Sequence, residues 1–200
     1  FGPEHRARRI LDRLPSLIKA TVEDMAAVHA ERVSIPARVY LRLLERVEPL
    51  DNYSRLALRR LADWNGSMDE EGVAPTIYSA FRLRLHETIL RHLLGPLAEE
   101  ALSASGRGAP GHVRQLAALL VTMAGEGDTS LLPPEADWES VAARALADGV
   151  ADLSAKLGGD IGSWRWGRLH RTRPSHPLSG SFPDVAKLLD PPAVRVGGDG

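Results

Sequence analysis

Cysteine is absent from the 200 residues, which excludes thiol catalysis, disulfides and thiolate metal sites while leaving the compartment open, since exported proteins need not carry disulfides. An excess of one charge is missing too. The 25 Lys and Arg are balanced by 26 Asp and Glu, for a formal net charge of −1, so no overall field draws the chain toward nucleic acid or anionic lipid. No apolar run approaches the roughly 20 residues a membrane helix requires, no signal-peptide pattern opens the chain, and no repeat of fixed period is present. Aromatic residues make up only 5%, yet two of the four tryptophans, Trp164 and Trp166, stand almost side by side near the end.

What is present is a 44% hydrophobic fraction, enough for a folded core, arranged over residues 1–159 at helical spacing. From Glu4 to Leu14 the apolar positions Ala7, Ile10, Leu11 and Leu14 share a side, with Arg6, Arg8, Arg9 and Arg13 mostly elsewhere, until Pro15 interrupts. Thr21 is a good N-cap, with Glu23 and Asp24 in the first turn, for a second helix reaching about Val33. Pro36 suits the first turn of a third, carrying Val39, Tyr40, Leu43, Leu44 and Val47. Asn52 or Asp51 caps a fourth, which Asn65-Gly66 stops. A fifth runs from Ala74-Pro75 to Leu94, apolar around much of its circumference and therefore predicted to be central. Leu97 to Leu102 adds a short apolar stretch, and the Gly- and Ser-rich Ser103 to Gly111 reads as a loop. Two further helices are expected over His112 to Met123 and Trp138 to Leu157, the latter with Asp137 and Glu139 at its start and Gly158-Gly159 at its end.

After Gly159 helical periodicity stops and Pro, Gly and aromatic residues take over. Trp164 to Arg171 is predicted as a short strand with Trp164 and Trp166 on one face, and Ala193 to Val196 as a weaker one. The two tryptophans are expected to be packing residues and not a platform for stacking bases.

Other chemistry is thinly represented. His86 and His92 are six apart and do not share a helix face suited to a metal. Asp69, Glu70 and Glu71 lack the alternating oxygen ligands of a calcium loop and read as a capping or solvated cluster. Gly197-Gly198-Asp199-Gly200 has no Lys-Ser/Thr and no following helix, so it is no phosphate loop.

Four stretches, in order, carry a resemblance: Arg6-Ala7-Arg8-Arg9-Ile10 with Thr21-Val22-Glu23-Asp24-Met25; Leu61 to Ser67 with Ala74 to Phe81; Trp164 to His170; and Val196 to Gly200. Together they span nearly the whole chain, which resembles an internal segment of the large chain of penicillin acylases, N-terminal nucleophile hydrolases of αββα fold. The resemblance implies a mainly α segment with a small β portion at its C-terminal end, the helical region over 1–159 and a strand and loop region over 160–200 joining the parent sheet core. It implies a self-processed parent whose new N-terminal serine attacks an acyl amide. Phe1 offers no nucleophilic atom, so that serine is expected outside this chain, no catalytic residue within it, and the segment alone is expected to be inactive. The α-amine can serve as base in such an enzyme, with an unperturbed pKa of about 8, so His170 is expected to be structural.

By resemblance, an arginine at the start of the helix after the oxyanion asparagine lies near the catalytic serine; spacing back from Thr21 matches it to Arg6, or to Arg8 or Arg9 if the register slips. A fixed guanidinium there would lower the pKa of the N-terminal ammonium and orient polar groups; the competing reading makes Arg6 a solvated arginine on an amphipathic helix. The family often carries a structural calcium, its ligands outside the matched stretch, so no cofactor is expected in this chain. The implied partners are the remaining segments of the parent and a small N-acyl amide such as a penicillin or an acyl-homoserine lactone, and the family habit points to a periplasmic or secreted protein. A rival reading of the same pattern is an autonomous helical interaction module without catalysis.

Overall fold

In the computed structural model, which describes residues 4–103 and 111–198, the longest helix is also the central one. Helix α5 (Ala74–Leu94) buries Ile77, Tyr78, Phe81, Leu85 and Ile89 completely, and its most extensive partner is α8 (Trp138–Leu157). The α8 face that meets it carries Ala142, Ala145 and Gly149, all buried. A Cβ at Gly149 would lie 2.9 Å from the carbonyl carbon of Ala80 and 3.0 Å from both the Ala80 oxygen and the Phe81 nitrogen. Glycine at 149 is thus what lets the two backbones approach.

Around this pair, α3 (Ile35–Leu44) packs on α7 (Gly111–Glu126) and α8, and α4 (Asn52–Ala62) on α5 and α8. Tyr40 of α3 meets Phe81 edge-on, ring centroids 5.7 Å apart, and Trp64, just past α4, lies 5.2 Å from Tyr78, so aromatics from three elements join in one cluster. Burial pushes the Tyr40 hydroxyl's pKa well above the usual tyrosine value. Short helices α1 (His5–Arg13), α2 (Val22–His29) and α6 (Ala98–Ser103) lie at the margins, α1 with no buried residue.

The helix starts follow the predicted caps. Thr21 forms a capping box with Asp24, the Thr21 hydroxyl accepting from the Asp24 amide at 3.1 Å and the Asp24 carboxylate from the Thr21 amide at 2.9 Å. Asp51, not Asn52, caps α4, accepting from the Ser54 amide at 2.6 Å, and Asp137 caps α8 through Ser140. The helix expected to reach Val33 ends at His29. Beyond it the Glu31 carboxylate accepts the Val33 amide at 3.1 Å, giving that N–H a side-chain partner in place of a helical carbonyl. The loop expected over Ser103 to Gly111 lies largely outside the described residues, as does the end of the chain at Asp199.

The expected β portion is the main correction. Trp164 to Arg171 is not a strand: a short 3-10 turn, Trp166–Arg168, occupies its middle, and another, Ile161–Ser163, leads into it. The tryptophans do not share a pleated face, because each indole is anchored by a different glycine carbonyl: Trp164 Nε1 donates to Gly158 at 2.7 Å and Trp166 Nε1 to Gly198 at 2.9 Å. The backbone turns back on the 70–72 segment, with the Trp166 amide donating to the Gly72 carbonyl at 2.9 Å and the Gly167 amide to Glu70 at 2.7 Å. Ala193 to Val196 shrinks to a single antiparallel bridge between Arg171 and Arg195, flanked by Thr172 N–H to Val194 at 2.8 Å and Val196 N–H to His170 at 3.2 Å. Pro174 and Pro191-Pro192 lie just beyond, where ladder growth would need amides that proline lacks. A helix that was not expected, α9 (Pro183–Leu189), stands between them. The described residues thus give a helical assembly with isolated bridges, and no αββα sheet core lies among them.

Candidate active-site wall

Helix α1 is held to the rest of the molecule chiefly by charge. It has no buried residue of its own, but two of its four arginines, Arg9 and Arg13, converge on one carboxylate. Glu31 Oε2 accepts from Arg9 Nη2 at 3.0 Å and Arg13 Nη1 at 2.8 Å, while Oε1 takes the Val33 amide. Only 9% of the Glu31 side chain is exposed. Burial alone would raise its pKa, but hydrogen bonds from Arg13 and the Val33 amide, with the Arg9 charge, outweigh that and hold the carboxyl below its ordinary value. The 31–34 segment is in turn fixed to the core: Val33 bridges Ser67, Ser34 N–H donates to Gly66 at 2.9 Å and Met68 N–H to the Arg32 carbonyl at 3.0 Å. Gly66, at φ +86°, supplies the left-handed turn this bridge needs.

Between α1, the 31–36 segment, α5 and α7 lies a cavity of about 830 Å³. Arg6 and Arg9 line it from α1, Arg32 from the connecting segment, Ser79 from α5, Val121 from α7 and Gly198 from the C-terminal side. Ser79 Oγ and Arg9 Nε are buried there and have no hydrogen-bond partner among the described residues. The concave, mixed wall is of the kind that receives a ligand or another polypeptide segment. A smaller cavity of about 280 Å³ beside Trp64 and Asp69 is walled largely by the turn that ends α4, and Trp64 Nε1 already donates to the Ser67 carbonyl at 2.8 Å.

The predicted residues fall out differently. Arg6 lines the cavity, but it is exposed and donates from Nη2 to the His29 carbonyl at 3.2 Å. Arg8 is exposed and does not line it. Arg9 lines it, is 17% exposed and is the one fixed by Glu31. Spacing alone did not bring out Glu31, although a lone carboxylate between a helix end and Pro36, downstream of four arginines, was the available signal.

His170 stacks on Trp166 at 4.7 Å and 12°, its Nδ1 donating to the Val196 carbonyl at 2.9 Å, as a structural histidine does. The 69–71 acidic cluster does not cap a helix: Asp69 faces Arg32 at 3.8 Å, and Glu71 faces Arg195 at 3.2 Å and Arg165 at 3.9 Å, all largely solvated. Among the described residues no group of three or more His, Asp or Glu is arranged to hold a metal, and no helix is long and apolar enough to cross a membrane.

The penicillin amidase family model matches residues 1–200. The chain belongs to the penicillin amidase family. It is 30% identical over 205 residues to the penicillin acylase 2 proenzyme of Pseudomonas sp. (strain SE83), a match covering 99% of this chain and 24% of that protein. It is 29% identical over 120 residues to the acyl-homoserine lactone acylase QuiP of Pseudomonas fluorescens (strain Pf0-1), covering 59% of this chain and 15% of that one. The chain therefore spans about a quarter of the first relative's length and less of the second's. Both relatives are named as acylases, and the chain matches one part of each.

Proposed function

We propose that this family member acts as one wall of an acyl-amide hydrolase whose N-terminal serine nucleophile lies outside these 200 residues. The parent reaction is serine attack on an acyl amide carbonyl, passage through an oxyanion held by preorganised donors, and hydrolysis of the acyl-enzyme by water. The observation that carries this reading is the family match along the whole chain, and its two named acylase relatives point to N-acyl substrates such as penicillins or acyl-homoserine lactones. Within such an enzyme the α1 wall contributes an arginine at the edge of the site. Spacing nominates Arg6; Arg9 has the support of the Glu31 clamp and a leftover buried N–H.

Exposed apolar side chains suit a wall better than a free-standing module. Ile18 is 93% exposed, Val22 81% and Leu188 85%, on the α1–α2 and α9 margins, where the remaining acylase polypeptide would cover them. The testing experiment expresses the natural full-length gene, measures chain masses and N-terminal sequences, and assays a chromogenic phenylacetyl amide. Two chains, the larger starting with Ser and containing this segment, with amide cleavage, are expected. A single inactive chain with no nucleophile would overturn the reading.

A further inference from the structure

We infer that Glu31 is a positioning residue for the acylase reaction, holding Arg9 at the cavity wall so that its remaining donor meets an oxygen supplied from outside these 200 residues. The inference rests on the acylase reading above. Its ground is a chain of fixed contacts that begins in the core and ends at one N–H. The 31–34 segment is tied to 66–68 by backbone bonds, so the Glu31 carboxylate is anchored independently of α1. That carboxylate reaches across 22 residues of sequence to Arg9 Nη2 and across 18 to Arg13 Nη1. Helix α1 has no fully buried residue, and the other carboxylate paired with Arg9 among the described residues is the exposed Asp12, 4.0 Å from Nη1, so without Glu31 the guanidinium loses its closest and most buried partner.

Arg9 then offers a specific leftover. A guanidinium has five N–H donors in a rigid fork, and one of them, Nε–H, is buried without an acceptor among the described residues, beside an 830 Å³ cavity. A buried charged donor without an acceptor is costly, so the intact protein is expected to bring an oxygen to it, from a backbone carbonyl, a side chain or the reacting amide. Arg6, Arg9 and Arg32 line the cavity with Glu31 as the one carboxylate among its described lining residues, so positive charge still faces the cavity while Glu31 fixes the direction of Arg9. Misplacing a catalytic-site group by about 1 Å can cost about 100-fold in rate.

The test is made in the full-length protein with Glu31→Gln, Arg9→Gln, Arg9→Lys and the double variant Glu31→Gln/Arg9→Gln, assayed on a phenylacetyl amide after chain masses confirm processing. Glu31→Gln is expected to lower kcat by 10- to 100-fold with KM changed less than about threefold. Arg9→Gln should lose a similar factor, Arg9→Lys should recover part of it, and the double variant should be no worse than the poorer single, because both act through one contact. Should Glu31→Gln fail to process, Arg9→Gln against Arg9→Lys decides: equal kcat in the two overturns the proposal. Losses that multiply in the double variant, or an active Glu31→Gln with wild-type kcat, also overturn it while leaving the acylase reading standing. A processed wild type that cleaves no amide overturns the acylase reading, and this role with it.

Discussion

Replacing Gly149 by alanine isolates the contact on which the helical assembly turns. In a helix interior the exchange should help, since alanine is favoured over glycine by about 1 kcal/mol through backbone entropy. At this position the new methyl carbon would stand 2.9 Å from the Ala80 carbonyl carbon and 3.0 Å from two more α5 backbone atoms. Backbone cannot rotate aside as a side chain can, so α5 and α8 must separate by several tenths of an ångström along a face where Phe81, Leu85, Leu146 and Val150 are buried. Overpacking costs roughly 1–3 kcal/mol; with no flexible atom to yield, the upper end applies. Set against the propensity gain, the net loss is about 2 kcal/mol. For a chain of this size that is a fall in Tm of roughly 4–8 °C.

Gly125 is the internal control. It lies in α7, one residue from its end, and a Cβ there would meet only the Val39 Cγ1 at 3.5 Å, an ordinary contact. Gly125→Ala should therefore stabilise by about 0.5 kcal/mol, a rise of roughly 1–2 °C. Thermal unfolding followed by far-ultraviolet circular dichroism compares the two directly. Shifts of the same sign, or an unchanged Tm for Gly149→Ala, would refute the claim that backbone approach at Gly149 sets the α5–α8 distance.

Other expectations follow from single contacts. Thr76 is fully buried and donates its hydroxyl to the Trp164 carbonyl at 2.9 Å; Thr76→Val leaves that carbonyl unpaired and should cost about 1–3 kcal/mol, read from denaturant midpoints at unchanged m. Asp137→Ala removes the α8 cap and should cost about 1 kcal/mol, measurable in the same way. Glu87 accepts from Arg84 and Arg91, each at 2.7 Å; burial pushes its pKa up, but those two arginines outweigh it and, as at Glu31, hold the carboxyl below the ordinary value of 4.5. A depressed folded-state pKa gives stability that is full above the unfolded value and is lost as pH falls through the folded one. The chain's Tm should therefore fall on acidification below about pH 4.5, and less steeply in Glu31→Gln or Glu87→Gln; parallel pH profiles for wild type and variants would contradict the assignment.

The helices were legible because their signals are local. Thr21, Asp51 and Asp137 sit beside the amides they cap, and the apolar circumference of 74–94 marks a helix enclosed by others whatever its neighbours are. The C-terminal stretch misled for the same reason that local signals fail elsewhere: Trp164-Arg165-Trp166 alternates as a strand would, but each indole is committed to a carbonyl outside the stretch, the first six residues back at Gly158 and the second 32 residues ahead at Gly198. Alternation records only that two tryptophans are two apart; which way each ring faces is decided by where its N–H finds an acceptor. Helix α9 carried readable signs, Pro183 at its first turn, Asp184 beside it and Lys187 near its end, obscured by the prolines around it.

The site divides along the same line. The resemblance, not the spacing, nominates an arginine of the first helix; spacing to Thr21 only sets its register, and which arginine the fold holds in place depends on a carboxylate 22 residues away from Arg9. A register count from Thr21 selects Arg6, which donates to the His29 carbonyl at an exposed site, whereas the fold places Arg9 against an anchored, mostly buried partner. A charge with a fixed, buried counter-ion keeps its direction when solvent and chain move. A solvated one does not, and a group that must meet developing charge in a reaction has to be of the first kind.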